Sequence, residues 1–231
     1  RTSNQAEAWS TISPDLSKGG GRVSAIAPAP SDSATIYAGT SDGNLHVTRN
    51  LGGSWSLRTT GLPNRHVKDI VVDRGQPGTA ILSVSGFNTG HVFRTTDFGV
   101  NWTDISGNLP DVPVNAVLEI GDEIFIGTDL GVFVSANLGA TWTPFMDGLP
   151  NVAVFDLAYS NETGVALAGT HGRGMFSFRP LSAATVTLSA PNLRFDALLD
   201  SLTLGVTVLD SIGAPVAKPF ISWRSMDPTV A

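Results

Sequence analysis

Apolar residues along this chain come in short bursts of about five to eight positions, alternating or continuous, each closed by Gly, Asn, Asp or Pro. Bursts of that length and punctuation predict β-strands. No stretch holds a 3.6-residue period between helix caps, so helices are not expected. The bursts also recur in a fixed order. A first strand is expected at Val23 to Pro28, Val67 to Asp73, Val114 to Ile120 and Val152 to Tyr159. A second runs into Gly-Thr at Ile36 to Thr40, Ile124 to Thr128 and Val165 to Thr170, with Ile81 to Gly86 in that place in the second unit. A third covers Leu45 to Arg49, Val92 to Thr96, Val132 to Ala136 and Met175 to Phe178.

One turn is written four times along the chain: Ser/Thr, any residue, Asn/Asp, any residue, a small residue, two more, then Trp. The copies are Thr2 to Trp9, Thr48 to Trp55, Thr95 to Trp102 and Ser135 to Trp142, spaced 46, 47 and 40 residues from Trp to Trp. Each Trp closes a short strand that ends in a Leu-Pro-type turn: Gly61-Leu62-Pro63, Asn108-Leu109-Pro110, Gly148-Leu149-Pro150 and the degenerate Asp15-Leu16-Ser17. Four antiparallel strands in a unit of about 40–45 residues is the size of a propeller blade. The fold class read from the sequence is therefore all-β, an array of four-stranded antiparallel blades.

The residues of the turn suggest their roles. Asn4, Asn50, Asp97 and Asn137 offer side-chain oxygens to backbone amides two or three residues on. Gly52, Gly99 and Gly139 supply positive φ. Trp9, Trp55, Trp102 and Trp142 offer large surfaces to neighbouring sheets. Ala6 breaks the Gly rule in the first copy, so an altered turn is expected there.

Composition narrows the partner classes. With 14 basic and 20 acidic side chains and a formal charge of -6, the chain has no cationic excess for phosphate backbones or anionic membranes. It has no cysteine, hence no disulfide, thiolate metal site or thiol nucleophile. No apolar run reaches the length of a membrane span. Because it opens on Arg1 inside a repeat and without Met, it reads as a piece of a longer protein with its export signal upstream.

The repeated turn resembles the Asp-box, or BNR repeat, of sialidases, sortilin-type receptors, xyloglucanases and photosystem II assembly factors. The resemblance covers residues 1 to about 180 and extends to Trp9-Ser-Thr-Ile-Ser-Pro-Asp-Leu16 and Gly169-Thr-His-Gly-Arg-Gly-Met-Phe176. It implies that the box residues are structural and lie away from the active face. Three whole blades are expected at 22–60, 66–107 and 113–147, and a three-stranded unit at 152–178. Strand 7–13 would complete that unit in a four-bladed ring, or a missing N-terminal part would complete it in a ring of seven or so. From about Ser182 the text changes. Val206 to Val216 and Trp223 to Ala231 resemble a bacterial Ig-like domain of the second group, with strands at Thr185 to Ser189, Leu202 to Leu209 and Phe220 to Trp223. The expected domains are thus a propeller over 1–180 and a partial Ig-like sandwich over 181–231.

In a meander, alternate turns share a face, so the box turns leave the opposite face to the second-to-third-strand loops and the blade connections. Those segments hold Asp42, Asn44, Asn88, His91, Asp129, His171, Arg173, Lys18, Arg22, Arg65, His66, Asp111 and Asn151. Arg65, His66, Asn88, His91, His171 and Arg173 are the candidate binding residues. Asp42, Asp111 and Asp129 are the carboxylates available for glycoside hydrolysis, which needs two across a sugar. A sialidase also needs three convergent Arg and a Tyr nucleophile backed by Glu. Tyr37 and Tyr159 read as core positions, and Glu119, Glu123 and Glu162 fit no such arrangement. His46, His66, His91 and His171 lack metal-ligand spacing, so neither metal nor cofactor is expected. His171-Gly-Arg-Gly174 lacks the helix a phosphate loop requires, and no nucleophile elbow is present. The reading is a non-catalytic, exported bacterial propeller, secreted, periplasmic or on the cell surface, that binds a protein or glycan, with no role for nucleic acid. The alternatives are a glycoside hydrolase, and an assembly factor or accessory subunit of a membrane complex.

Overall fold

The computed structural model describes residues 8–145, 148–180, 183–188 and 206–210, and all regular structure among them is strand. The chain divides into two units, Arg1–Phe178 and Arg179–Ala231. In the first, three four-stranded antiparallel meanders follow one another. They are β1 (Val23–Ala29), β2 (Asp32–Thr40), β3 (Leu45–Thr48) and β4 (Ser56–Leu57); β5 (Val67–Val72), β6 (Ala80–Val84), β7 (Val92–Thr95) and β8 (Thr103–Asp104); and β9 (Val114–Ile120), β10 (Glu123–Thr128), β11 (Gly131–Ser135) and β12 (Thr143–Phe145). A fourth sheet has three strands, β13 (Val154–Ser160), β14 (Val165–Thr170) and β15 (Met175–Phe178). In the second unit β16 (Ala183–Leu188) pairs antiparallel with β17 (Val206–Asp210). The strand expected at Phe220 to Trp223, like Asn4 and Ala6, lies outside the described residues.

The hydrophobic core lies between blades. Ile81, Val92 and Val114 pack with Ile124, Ile126 and Trp142 at the junction of blades two and three. Their chain neighbours Leu82 and Phe93 turn the other way, to Tyr37, Leu45 and Val47 of blade one. Ala116, Phe125 and Val132 likewise face Leu157, Ala168 and Phe178 of the fourth sheet. Successive strand residues point to opposite faces, and a middle blade has a neighbour on each. This is why β6 is buried at all five positions and shows no polar alternation.

The repeated turns close as the sequence suggests, with a longer reach. Asn50, Asp97 and Asn137 accept from the amides of Ser54 (2.8 Å), Asn101 (3.0 Å) and Thr141 (2.9 Å), four residues on. The hydroxyls of Thr48, Thr95 and Ser135 accept from the amides of Gly52, Gly99 and Gly139 at 3.0, 3.0 and 2.9 Å. The residue before each Gly, Leu51, Phe98 or Leu138, is also left-handed, as a type I′ turn with positive φ at both central positions requires.

Each turn also clasps the preceding blade, which local sequence does not reveal. Trp55, Trp102 and Trp142 donate their indole N–H to the carbonyls of Ile12 (2.7 Å), Arg58 (3.1 Å) and Ile105 (2.9 Å). Those acceptors stand three residues after Trp9, Trp55 and Trp102. Segment 8–16 therefore meets blade one as the outer strand of blade one meets blade two. Leu16 is buried, and its carbonyl accepts from Asn44 Nδ2 at 3.0 Å. The strand expected at 7–13 is not formed at residues 8–13, and among the described residues the fourth sheet stays three-stranded. Trp9, the first turn's aromatic, is 72% exposed and does not pack as the other three do.

Strand register corrects one expectation in blade two. Thr40, Thr128 and Thr170 pair with Val23, Val114 and Val154, and in blade two the pair is Val84 with Val67. Ser83, not Ser85, thus takes the place of Gly39, Gly127 and Gly169. A Cβ at Gly39 or Gly127 would stand 2.4 Å from Val67 Cγ1 or 2.8 Å from Val154 Cγ1 in the next blade. Ser83 fills this place with a fully buried hydroxyl that has no hydrogen-bond partner among the described residues. Ser83→Ala should raise the unfolding free energy by about 1 kcal/mol, because it removes an unpaired buried oxygen at almost constant volume. A lowered urea midpoint at unchanged m-value would contradict this.

Candidate recognition face

All four inner strands carry a register irregularity at the same place, and its residues are Ser24, Lys68, Asn115 and Phe155. A β-bulge re-aims one side chain, and bulges are frequent beside functional sites. Two of the four serve the scaffold. Ser24 Oγ donates to Val67 O at 2.7 Å, and Asn115 Nδ2 to Val154 O at 3.3 Å, each reaching the next blade. The other two meet each other: Lys68 Nζ lies 5.9 Å from the Phe155 ring centroid, bringing blade two to the fourth sheet. The His171 ring stacks obliquely on the same Phe155 at 5.5 Å. Phe155 is 46% exposed, so a cation, an aromatic face and an imidazole form one accessible cluster.

The loops beside this cluster hold the sequence-nominated residues, and the structure sorts them. Asp111 gathers two: the Asn88 amide donates to both its carboxylate oxygens (2.7 and 2.9 Å), and His91 Nε2 lies 3.1 Å from Oδ1. His91 is buried, with its Nδ1 unpartnered among the described residues, and Asn88 sits at φ 58°. Asp42 is held by Thr40 Oγ1 and by the Lys18 amide, and these hydrogen bonds, the Thr40 one foremost, hold its carboxyl below the usual range. Asp129 accepts from Asn115 Nδ2 at 2.9 Å. All three nominated carboxylates are thus engaged by groups of their own loops and inner strands. Arg65 lies against Gly86, Arg173 is exposed in the loop after β14, and burial followed by Lys68 and Arg22 lowers the His66 pKa. Among the described residues, no group of three or more His, Asp or Glu could hold a metal ion.

At the other end of the inner strands, a recess of about 280 Å³ is lined by Asp73, Arg74, Glu119 and Tyr159, among others. Burial holds the Glu119 carboxyl above its usual range; Asp73 acts in the same direction and Arg94 opposes. Tyr159, read from sequence as a core residue, is half-buried here beside Glu119, whereas Tyr37 is fully buried and donates to Pro77 O at 2.9 Å. Burial raises the Tyr37 phenol well above its ordinary range. Sequence reasoning missed both Phe155 and this recess. For Phe155 a signal existed: aligned by blade, the bulge position reads Ser24, Lys68, Asn115, Phe155, and only the last is apolar.

No family model and no curated relative matches the sequence. Solved structures do resemble it. An ancestral GH74 enzyme shares 23% identity at TM-score 0.55, over 64% of this chain and 22% of its own. YCF48 bound to D1 peptide shares 17% at TM-score 0.53, over 69% of this chain and 52% of its own. The extracellular domain of a hybrid two-component system protein from B. thetaiotaomicron shares 18% at TM-score 0.53, over 82% and 22%. The chain thus spans between a fifth and about half of the length of these proteins. No helix among the described residues is long and apolar enough to cross a membrane. At this identity the likeness speaks for fold alone: the chain is an all-β protein built of β-propeller blades.

Proposed function

We propose that this chain is a non-catalytic recognition module of the Asp-box type that binds a protein or glycan through its loop face. An Ig-like second unit would act as spacer in an exported bacterial protein. The observation that carries this reading is the bulge pair Lys68 and Phe155 with His171 stacked on the ring. Nothing in the scaffold's own bonding requires an exposed phenylalanine there, and aromatic faces flanked by a cation suit both sugar rings and acidic peptides. The engagement of Asp42, Asp111 and Asp129 by their neighbours weighs against catalysis at this face. Screening the chain on glycan and peptide arrays should yield a ligand whose affinity falls about tenfold or more in both Phe155→Ala and Lys68→Glu. A ligand bound equally by both variants would sink the proposal.

A glycoside-hydrolase reading is favoured by one observation, the raised carboxyl of Glu119 in a recess shared with Tyr159, Asp73 and Arg74. A carboxyl held above its usual range keeps its proton to higher pH, the direction a general acid needs. Turnover of xyloglucan or sialoside reporters that disappears in Glu119→Gln would support this reading over the first.

A further inference from the structure

The blade repeat has one position where a single junction departs from the others. Three residues after each Trp of the repeated turn, the chain carries Ile12, Arg58, Ile105 and Phe145. At two junctions this side chain covers the glycine of the next turn: a Cβ at Gly52 or Gly139 would stand 2.7 Å from Ile12 Cβ or Ile105 Cβ. Packing at this position is served by an apolar residue. Arg58 supplies the same cover with its stem, its Cβ lying 3.2 Å from where a Cβ of Gly99 would stand, and adds a guanidinium the scaffold does not use. Its Nε is buried and has no hydrogen-bond partner among the described residues. A second arginine stands beside it where the repeat elsewhere has Thr96 and Ala136. This is Arg49, whose guanidinium carbon lies 4.0 Å over the Phe98 ring.

Both arginines line a recess of about 350 Å³ between blades one and two, with Asn50, Ser54, Ser56 and Phe98. Neither forms an ion pair among the described residues. Asp97 is hydrogen-bonded by Thr95 and Asn101, and Asp32 by Thr35 and the Ala34 amide, with Arg49 adding a weaker attraction to Asp32. In a chain of net charge -6, two guanidiniums without an ion-pair partner, with flanking hydroxyls, form a cationic notch. Arg49 is exposed and Arg58 only half-buried, so guanidinium N–H groups remain open to an oxyanion, which arginine grips by parallel N–H···O bonds.

We propose that this recess is a binding site for a small oxyanion, a carboxylate or a sulfate of the kind carried on acidic sugars. Arg58 is its half-buried clamp and Arg49, steadied on Phe98, its outer one. The site stands on different residues from the Phe155 cluster, so either can fail alone.

The test is an NMR titration of the full 231-residue chain, following arginine Nε–Hε resonances with sodium sulfate and, separately, sodium glucuronate, against sodium chloride at equal ionic strength. The Arg58 resonance should shift saturably with a dissociation constant of about 1 mM. Saturation by sulfate alone assigns a tetrahedral ligand, and by glucuronate alone a planar carboxylate. Arg58→Ile restores the apolar residue of the other junctions and so should keep the fold while weakening binding at least about tenfold. Arg49→Thr, the residue of blade two, should do the same and decides the matter if Arg58→Ile does not fold. No saturable shift with either salt, or an unchanged dissociation constant in the variants, would overturn the proposal.

Discussion

Trp142→Ala should lower the unfolding free energy of the propeller unit by about 3–5 kcal/mol, the range for truncating a fully buried tryptophan. Trp142 is 2% exposed, and its ring fills the junction of blades two and three against Ile81, Val92 and Val114. Its loss also strips the Ile105 carbonyl of its 2.9 Å indole donor. Trp142→Phe should recover most of this, because it keeps much of the packing and gives up only the donor. The other three tryptophans of the repeated turn supply a graded control. Trp102, 5% exposed and donating to Arg58 O, should fall close to Trp142. Trp55 is half-buried and should cost less. Trp9, at 72% exposed, should change stability by under about 0.5 kcal/mol when replaced by alanine. Urea denaturation of the four variants measures the order; equal losses at all four would mean that the repeat, not burial, sets the energy.

Gly139→Ala should be nearly as damaging, with an expected loss of about 2–5 kcal/mol from two additive causes. Gly139 sits at φ 84°, where an L side chain is strained. A Cβ there would also lie 2.6 Å from the Ile105 carbonyl oxygen, a backbone atom of the preceding blade held by the Trp142 indole. Backbone pinned at a junction cannot step aside as a flexible side chain would. Gly172→Ala separates the causes, since Gly172 has φ 76° but nothing within 4 Å of its would-be Cβ. That variant should lose only about 1–2 kcal/mol. If thermal melts place the two variants together, the interblade contact contributes nothing.

These two residues show how far the chain can be read without coordinates. That Gly139 needs positive φ and that Trp142 needs burial both follow from a turn motif of fixed spacing. That both dock on Ile105, which lies 34 residues before Gly139 and 37 before Trp142, does not follow, because nothing local marks a carbonyl as an acceptor. Blade two shows the same limit: Ser85-Gly86 looked like the counterpart of Gly39-Thr40, and only strand pairing moved the match to Ser83-Val84. The candidate site was still less legible. Lys68 and Phe155 sit inside strands, where sequence assigns side chains to a core. A bulge in each strand turns them out, and 87 residues of chain separate them.

The sequence by itself determined the periodic part of this protein: all-β blades, their strand order, and turns closed by Ser/Thr, Asn/Asp and Gly. Those features rest on backbone preferences and hydrogen bonds within a few residues of one another. Only the tertiary structure decided what lies between blades. It showed which carbonyl each indole grips, that residues 8–13 rest on blade one in place of pairing with the fourth sheet, and that Arg58 packs over Gly99 of the next turn. Each of these depends on contacts between residues about forty or more apart, whose geometry is set by how sheets stack, so no short window of sequence contains them.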